Sequence, residues 1–264
     1  MIMPNIEDLT LAHVTQDDGF PIPSENMVKV LQEFGVKDIM LGFSRGKDSI
    51  AMWLWLRQFD FNIHPYWLYW CPGLEFEEES LAYYEDWFGQ KMIRAPHPLC
   101  WEAANAFVYQ EPHNVAVIRA AGVVNFDFAH MEAALAIIQG LDIDTFTAVG
   151  FRSADNIDRR NLIKQKGALG FARRRWYHAI WDWKIDRVAE IINDSGIKLP
   201  IDYKYFGRTL GFWDHQYLQA LKEHFPSDYK KMQEWAPMID LEFLRYNLVD
   251  DNGKTNAEAG KSYV

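Results

Sequence analysis

The stretch Gly42-Phe43-Ser44-Arg45-Gly46-Lys47-Asp48-Ser49 decides how the chain is read, because it lies between two apolar segments of different kind. Upstream, Asp38 to Phe43 is a short apolar run, as in a strand buried on both faces. Downstream, Ile50-Ala51-Met52-Trp53-Leu54-Trp55-Leu56 is apolar nearly all round, which is expected of a helix pressed against a sheet. Asp48 or Ser49 is the expected cap of that helix. The order is strand, tight polar loop, helix.

Three chemistries compete for such a loop. A Walker A loop needs four residues between its glycines and then Gly-Lys-Ser/Thr; here three residues separate Gly42 from Gly46, and Asp48 replaces the metal-binding hydroxyl. A nucleophile elbow, G-x-S-x-G, is satisfied by Gly42 to Gly46 with Ser44 as nucleophile. That reading stays open on the motif, although only 41 residues precede Gly42 and none of them forms an HGGG-like oxyanion segment. The third is a pyrophosphate-binding loop, in which the amides of a glycine-containing turn at a helix N-terminus and the hydroxyls of Ser44 and Ser49 surround phosphate oxygens. Lys47 then adds a point charge, and Asp48 is the candidate ligand for a phosphate-bridging Mg²⁺. A plain helix cap without ligand fits the same residues.

Working outward, Ile63–Trp70 reads as a second strand, followed by a Pro72-Gly73 turn and a helix from Phe76 to Phe88. Lys91–Ala95 is a short third strand. Asp127 caps a helix closed by Gly140, and Thr145–Val149 is a fourth strand leading into Gly150-Phe151-Arg152. Alternating strands and helices imply an α/β fold with a mostly parallel, Rossmann-like sheet. Beyond Arg152 the texture is helix and loop, with Ile185, Val188, Ile191 and Ile192 spaced for one buried stripe. The expected organisation is an extension over 1–26, a nucleotide-binding α/β domain over 27–152, a helical substrate-binding part over 153–248 and a disordered tail over 249–264, with frayed ends.

The chain of 264 residues carries a net charge of −10, unevenly placed. Residues 1–149 carry −13, residues 150–187 carry +6 and the remainder −3. The basic segment starts at Arg152, where a planar guanidinium fork suits phosphate or sulfate; Arg159, Arg160 and Arg174 are the candidate anion-binding residues for the second substrate. An acidic body favours a small anion over a nucleic-acid track, so nucleic acid is not favoured as a partner. No apolar run approaches the ~20 residues of a bilayer span, and the first residues show no secretory pattern, so a cytoplasmic setting and no membrane partner are expected. Two cysteines, Cys71 and Cys100, without a CxxC, exclude a disulfide framework and read as reduced and structural. No spacing typical of zinc ligands is present.

Ser44-Arg45-Gly46-Lys47-Asp48-Ser49 resembles the S-x-G-x-D-S loop of the adenine-nucleotide α-hydrolase-like (PP-loop) superfamily at every fixed position. Further segments resemble its phosphoadenylylsulfate (PAPS) reductase-like family, over roughly residues 38–213. Cys71-Pro72-Gly73-Leu74-Glu75-Phe76-Glu77-Glu78 is similar to that family's Asp-Thr-Gly-x-x-Phe-Pro-Glu segment beside the nucleotide. Gly150-Phe151-Arg152-Ser153-Ala154-Asp155-Asn156-Ile157-Asp158-Arg159-Arg160 resembles its Gly-x-Arg-x-x-Glu-Ser-x-x-Arg segment. His178-Ala179-Ile180-Trp181-Asp182-Trp183 and Leu199-Pro200 through Tyr205-Phe206-Gly207-Arg208 resemble later ones.

The resemblance implies a nucleotide site of Ser44, Arg45, Gly46, Lys47, Asp48, Ser49, Gly73, Leu74, Glu75, Gly150 and Arg152. Lys47, Asp48 and Arg152 are then catalytic, with ATP (or PAPS or adenylylsulfate, APS) and Mg²⁺ as cofactors. The family's reductases carry a catalytic cysteine near the C-terminus, whereas this chain has none after Cys100, so thiol-dependent PAPS reduction is not expected. The expected activity is ATP pyrophosphatase or nucleotidyltransferase chemistry on an unidentified acceptor, in sulfur transfer or nucleic-acid modification. Alternatives are a sulfonucleotide-binding protein, a non-catalytic nucleotide-binding subunit and, less favoured, a serine hydrolase. A sulfur donor, a partner protein and a homo-oligomer remain open as partner classes.

Overall fold

A computed structural model of the chain describes residues 6–105, 109–122, 126–170, 175–207, 209 and 215–250. After a 3-10 turn at Ile6–Asp8 come α1 (Leu11–Val14), α2 (Ser24–Glu33), β1 (Asp38–Gly42), α3 (Lys47–Leu56), β2 (Asn62–Tyr69), α4 (Glu75–Phe88) and β3 (Ile93–Pro96). Next are α5 (Pro98–Ala104), α6 (Pro112–Ala120), α7 (Phe128–Ile138), β4 (Thr147–Val149), α8 (Ile157–Lys166) and β5 (Trp176–Tyr177). The chain continues with α9 (Ile185–Ser195), α10 (Asp202–Phe206), α11 (His215–His224), α12 (Pro226–Trp235) and α13 (Leu241–Asp250). These fall into two units: residues 1–68, 80–95 and 126–200 form the first, and residues 69–79, 96–125 and 201–264 the second. Residue 153 lies inside the first unit.

The first unit is α/β. Its five strands run in the order β3-β2-β1-β4-β5, and β1 pairs in parallel with both β2 and β4. From β1 the chain builds outward to β2 and β3 on one side, then returns to place β4 and β5 on the other. The reversal lies between β1 and β4, the place where open α/β sheets bind ligands beyond their carboxyl ends. Register makes this concrete: Gly42, the last residue of β1, stands opposite Val149, the last residue of β4. The loop after Gly42 and the loop after Val149 therefore leave the sheet side by side.

Burial fixes the loop's foundation. Every residue from Ser49 to Leu56 is buried, as expected for a helix without a polar face. Trp53 stacks on Phe88 with ring centroids 3.7 Å apart, while Phe43 meets the edges of Trp53 and Tyr84 at 5.3 and 5.1 Å. Each such aromatic contributes on the order of 2–3 kcal/mol by burial. On the opposite side of β1, Met40, Tyr66, Met131, Leu135 and Ala136 form a second cluster, and Asp127 caps α7 by accepting the His130 N–H at 2.9 Å.

Several expectations need correction. Gly46, not Asp48 or Ser49, is the N-cap of α3, because the helix begins at Lys47. The apolar stripe of α9 is narrower than expected: Val188 and Ile192 are buried, but Ile185 is half exposed. The N-terminal stretch is folded from Ile6 onward. Its end is tied down by Asp182, whose carboxylate accepts the Ser24 N–H at 3.1 Å and the Ser24 hydroxyl, and by the Trp181 Nε1–H, which donates to Ile22 O. Nothing in the sequence predicts the two-residue strand β5, Trp176–Tyr177. Of the expected tail over 249–264, Val249 and Asp250 belong to α13, and the rest lies outside the described residues.

The second unit is helical, around Cys71, Leu74, Phe76, Leu218, Leu221, Tyr229, Met232 and Ile239. Asp228 caps the start of α4 there: its carboxylate accepts the Glu75 N–H at 2.7 Å and the Phe76 N–H at 3.1 Å.

Candidate functional site

The loop between β1 and α3 is shaped by its own hydroxyls. Ser49, 2% exposed, donates to Gly46 O at 2.8 Å and accepts the Ser44 N–H at 3.2 Å. Ser44 Oγ donates to Ser49 Oγ at 3.1 Å and accepts the Gly46 N–H at 3.3 Å. These bonds bend the chain into a cup at the α3 N-terminus, where the first-turn amides have no helical partner and the dipole favours an anion. The bend requires Arg45 to take φ 61°, the left-handed region that a residue with a Cβ enters at a cost of about 1–2 kcal/mol. Arg45 is nonetheless buried, at 4% exposure. In a nucleophile elbow the strain falls at the serine; here it falls on Arg45, and no histidine is among the partners of Ser44 in the described residues.

The second wall is the loop after β4. Gly150 meets the α3 N-terminus so closely that a Cβ there would stand 3.0 Å from Asp48 C and Ser49 N. Two residues on, Arg152 is 5% exposed and points back at the loop: its Nε is 2.7 Å from Asp48 Oδ1. Asp48 Oδ2 is in turn 3.2 Å from Lys47 Nζ. Arg152 Nη2 also pairs with Asp155, which pairs with Arg159 one turn into α8. The Arg159 guanidinium lies over the Phe151 ring at 4.8 Å, and Phe151 leans on His178 at 4.6 Å.

The fold thus brings Ser44, Arg45, Gly46, Lys47, Asp48, Ser49, Gly150 and Arg152 together, with Arg159 attached through Asp155. Arg160 is exposed on α8, and Arg174 lies outside the described residues. Gly73, Leu74 and Glu75 belong to the second unit, where Lys231 Nζ donates to Gly73 O and Glu75 Oε1, both at 3.0 Å, and Leu74 is buried in the helical core. The bridging role of Asp155 escapes sequence reasoning, although its i,i+4 spacing to Arg159 is a readable signal.

Among the described residues, no group of three or more His, Cys, Asp or Glu side chains is arranged to hold a metal ion. One carboxylate, Asp48, stands at the loop. Both of its oxygens lie against cations, Arg152 Nε and Lys47 Nζ, so a Mg²⁺ there would have to be carried largely by substrate phosphates. Both cysteines are free and buried in the second unit. Burial pushes the Cys71 thiol up to about 12 and the Cys100 thiol up to about 11, so neither is a thiolate nucleophile at neutral pH. No helix among the described residues is long and apolar enough to cross a membrane.

No family model matches the chain, and no curated protein matches it in sequence. Among solved structures it is similar to the crystal structure of NAD+ synthetase from Burkholderia pseudomallei, at 12% identity and a TM-score of 0.35, over 81% of this chain and 87% of that one. A likeness this remote bears on neither substrate nor reaction.

Proposed function

We propose that the first unit binds an adenine nucleotide, ATP in the leading reading, with its phosphates in the cup formed by Ser44–Ser49, and transfers the adenylyl group to an acceptor oxyanion with release of pyrophosphate. The observation that carries this is the meeting of a helix-terminal amide cup with the buried Arg152 at the topological switch of the sheet. In the reaction an acceptor oxygen bonds to the α-phosphorus while the α–β bridging P–O bond breaks, its electron pair leaving with pyrophosphate. The α3 amides and Lys47 stabilise the charge on the departing group, and Arg152 that on the pentacoordinate phosphorus. Mg²⁺ bound by the phosphates would neutralise the same charge, with Asp48 as its protein oxygen. No protein nucleophile is required, since positioning supplies much of the rate.

The test is pyrophosphate release from labelled ATP with a panel of oxyanion acceptors. Wild-type protein is expected to release it and Asp48→Asn to lose at least 100-fold; equal rates would remove Asp48 from the mechanism. Binding of ATP, APS and PAPS, compared by thermal shift, identifies the nucleotide.

A second reading, a nucleotide-binding subunit without turnover, is favoured by one observation. The α4 amides that follow Gly73 are already capped by Asp228 and so are not offered to a nucleotide. It predicts ATP binding by calorimetry with no pyrophosphate release under any acceptor tried.

A further inference from the structure

Asp155 touches two cations that the sequence treats as separate. Its Oδ1 pairs with Arg152 Nη2 at 2.5 Å, and its Oδ2 pairs with Arg159 Nη1. The carboxylate is mostly covered, with 18% of its side chain exposed, against 6% for Arg152 and 40% for Arg159. Arg159 is held from two further directions: Phe151 lies under its guanidinium, and its backbone N–H donates to the Asn156 Oδ1 that caps α8, at 2.8 Å. Arg152 Nη2 pairs with Asp155, and its Nε stands 2.7 Å from Asp48 Oδ1 as a charge contact without hydrogen-bond geometry.

We infer that Asp155 is a positioning residue of the anion site: it fixes the spacing of Arg152 and Arg159 so that both guanidinium groups meet one polyphosphate. This rests on the nucleotide reading of the same site. The physical reason is entropic. Two long arginine side chains carry much rotamer entropy, and a carboxylate that immobilises both before the ligand arrives removes part of the ordering cost of binding. The covering of Asp155 and the stacking of Arg159 on Phe151 make the arrangement rigid.

The inference has an unusual sign. Long-range electrostatics says that deleting a negative charge beside a polyanion site tightens binding, whereas loss of a positioning group weakens it. Calorimetry on the full chain with ATP and inorganic pyrophosphate as probes separates the two. Asp155→Asn is expected to bind both about tenfold more weakly although a repulsive charge is gone, and Asp155→Glu to recover to within about threefold of wild type. In an Arg159→Gln background the Asp155→Asn loss should shrink to threefold or less, because one of the two groups it positions has been removed. Unchanged or tighter binding by Asp155→Asn, or full additivity in that background, overturns the inference while leaving the nucleotide reading standing. A wild-type protein that binds neither probe overturns both. If melting curves show that Asp155→Asn does not fold, Arg159→Gln alone decides: it is expected to weaken pyrophosphate binding about tenfold, and equal affinity to wild type rejects the inference.

Discussion

Gly150 and Ser49 are in backbone contact: a Cβ placed on Gly150 would stand 3.0 Å from Ser49 N, and as near to Asp48 C. The contact follows from register, since β1 and β4 end opposite each other and their following loops run together. Gly150→Ala is therefore expected to push the first turn of α3 by a few tenths of an ångström. The amide cup is sensitive to that scale, so pyrophosphate release should fall at least tenfold with a small change in melting temperature. Gly150→Val, which adds further methyl groups, should cost about 1–3 kcal/mol of stability. Full activity in Gly150→Ala would mean that the loop absorbs the shift and that its position is not critical.

Arg152 and Asp48 make a second prediction. One guanidinium lies against Asp48 through Nε and against Asp155 through Nη2, two carboxylates that a single group meets because its charge is spread over three nitrogens. Lysine, a point charge on a flexible stem, cannot reproduce that arrangement. Arg152→Lys should take the guanidinium away from one oxygen of Asp48 or Asp155, while Asp48 keeps Lys47 and Asp155 keeps Arg159, and cost about 1–2 kcal/mol, below the 3–5 typical of a buried charge left without any partner. Denaturant unfolding measures this. Nucleotide affinity should fall at least tenfold, although the formal charge is unchanged.

Much of this site was legible in order but not in depth. The β1–loop–α3 unit could be read because its determinants are adjacent in sequence: an apolar run, a polar turn and an all-round apolar helix. The parallel sheet followed from alternation. What escaped depends on contacts between distant segments. The strand β5 is only Trp176–Tyr177, too short for any periodicity, and exists because β4 offers it a partner. Gly150 is assigned to the site by the resemblance alone, and only register shows that it packs against the backbone of α3. Ser49 looks like a helix cap, yet its hydroxyl is spent on Gly46 O within the turn. The tether at Ser24 is made by Asp182, more than 150 residues away.

Arg45 offers a test of backbone strain apart from side-chain chemistry. Its φ of 61° is open to glycine without penalty. Among substitutions that all remove the guanidinium, Arg45→Gly should be more stable than Arg45→Ala by about 1 kcal/mol, the reverse of the order in a helix or strand. Thermal unfolding of the two variants checks it, and an Ala variant as stable as the Gly variant would mean that the loop relaxes out of the left-handed region. Both variants lose the buried charge, so any difference in nucleotide affinity between them reports loop geometry alone.

Glu85, near the end of α4, gives the pH dependence of the first unit. It is 5% exposed and accepts from Lys91 Nζ at 2.8 Å, from the Met92 N–H at 2.8 Å and from Arg94 Nη1. Burial pushes its carboxyl up, but the hydrogen bonds from Arg94, Lys91 and Met92 outweigh that and hold it below its ordinary value of 4.5. A carboxylate that is more acidic in the folded state contributes stability above its unfolded value, and that contribution is lost as pH falls through the folded value. Wild-type protein should therefore lose stability on acidification below about pH 4.5 more steeply than Glu85→Gln. At pH 7 the variant should be less stable by about 2 kcal/mol, because Arg94 and the Met92 amide keep a neutral acceptor but lose a charged one. Parallel pH–stability curves for the two proteins would show that the Glu85 carboxylate is not what ties β3 to α4.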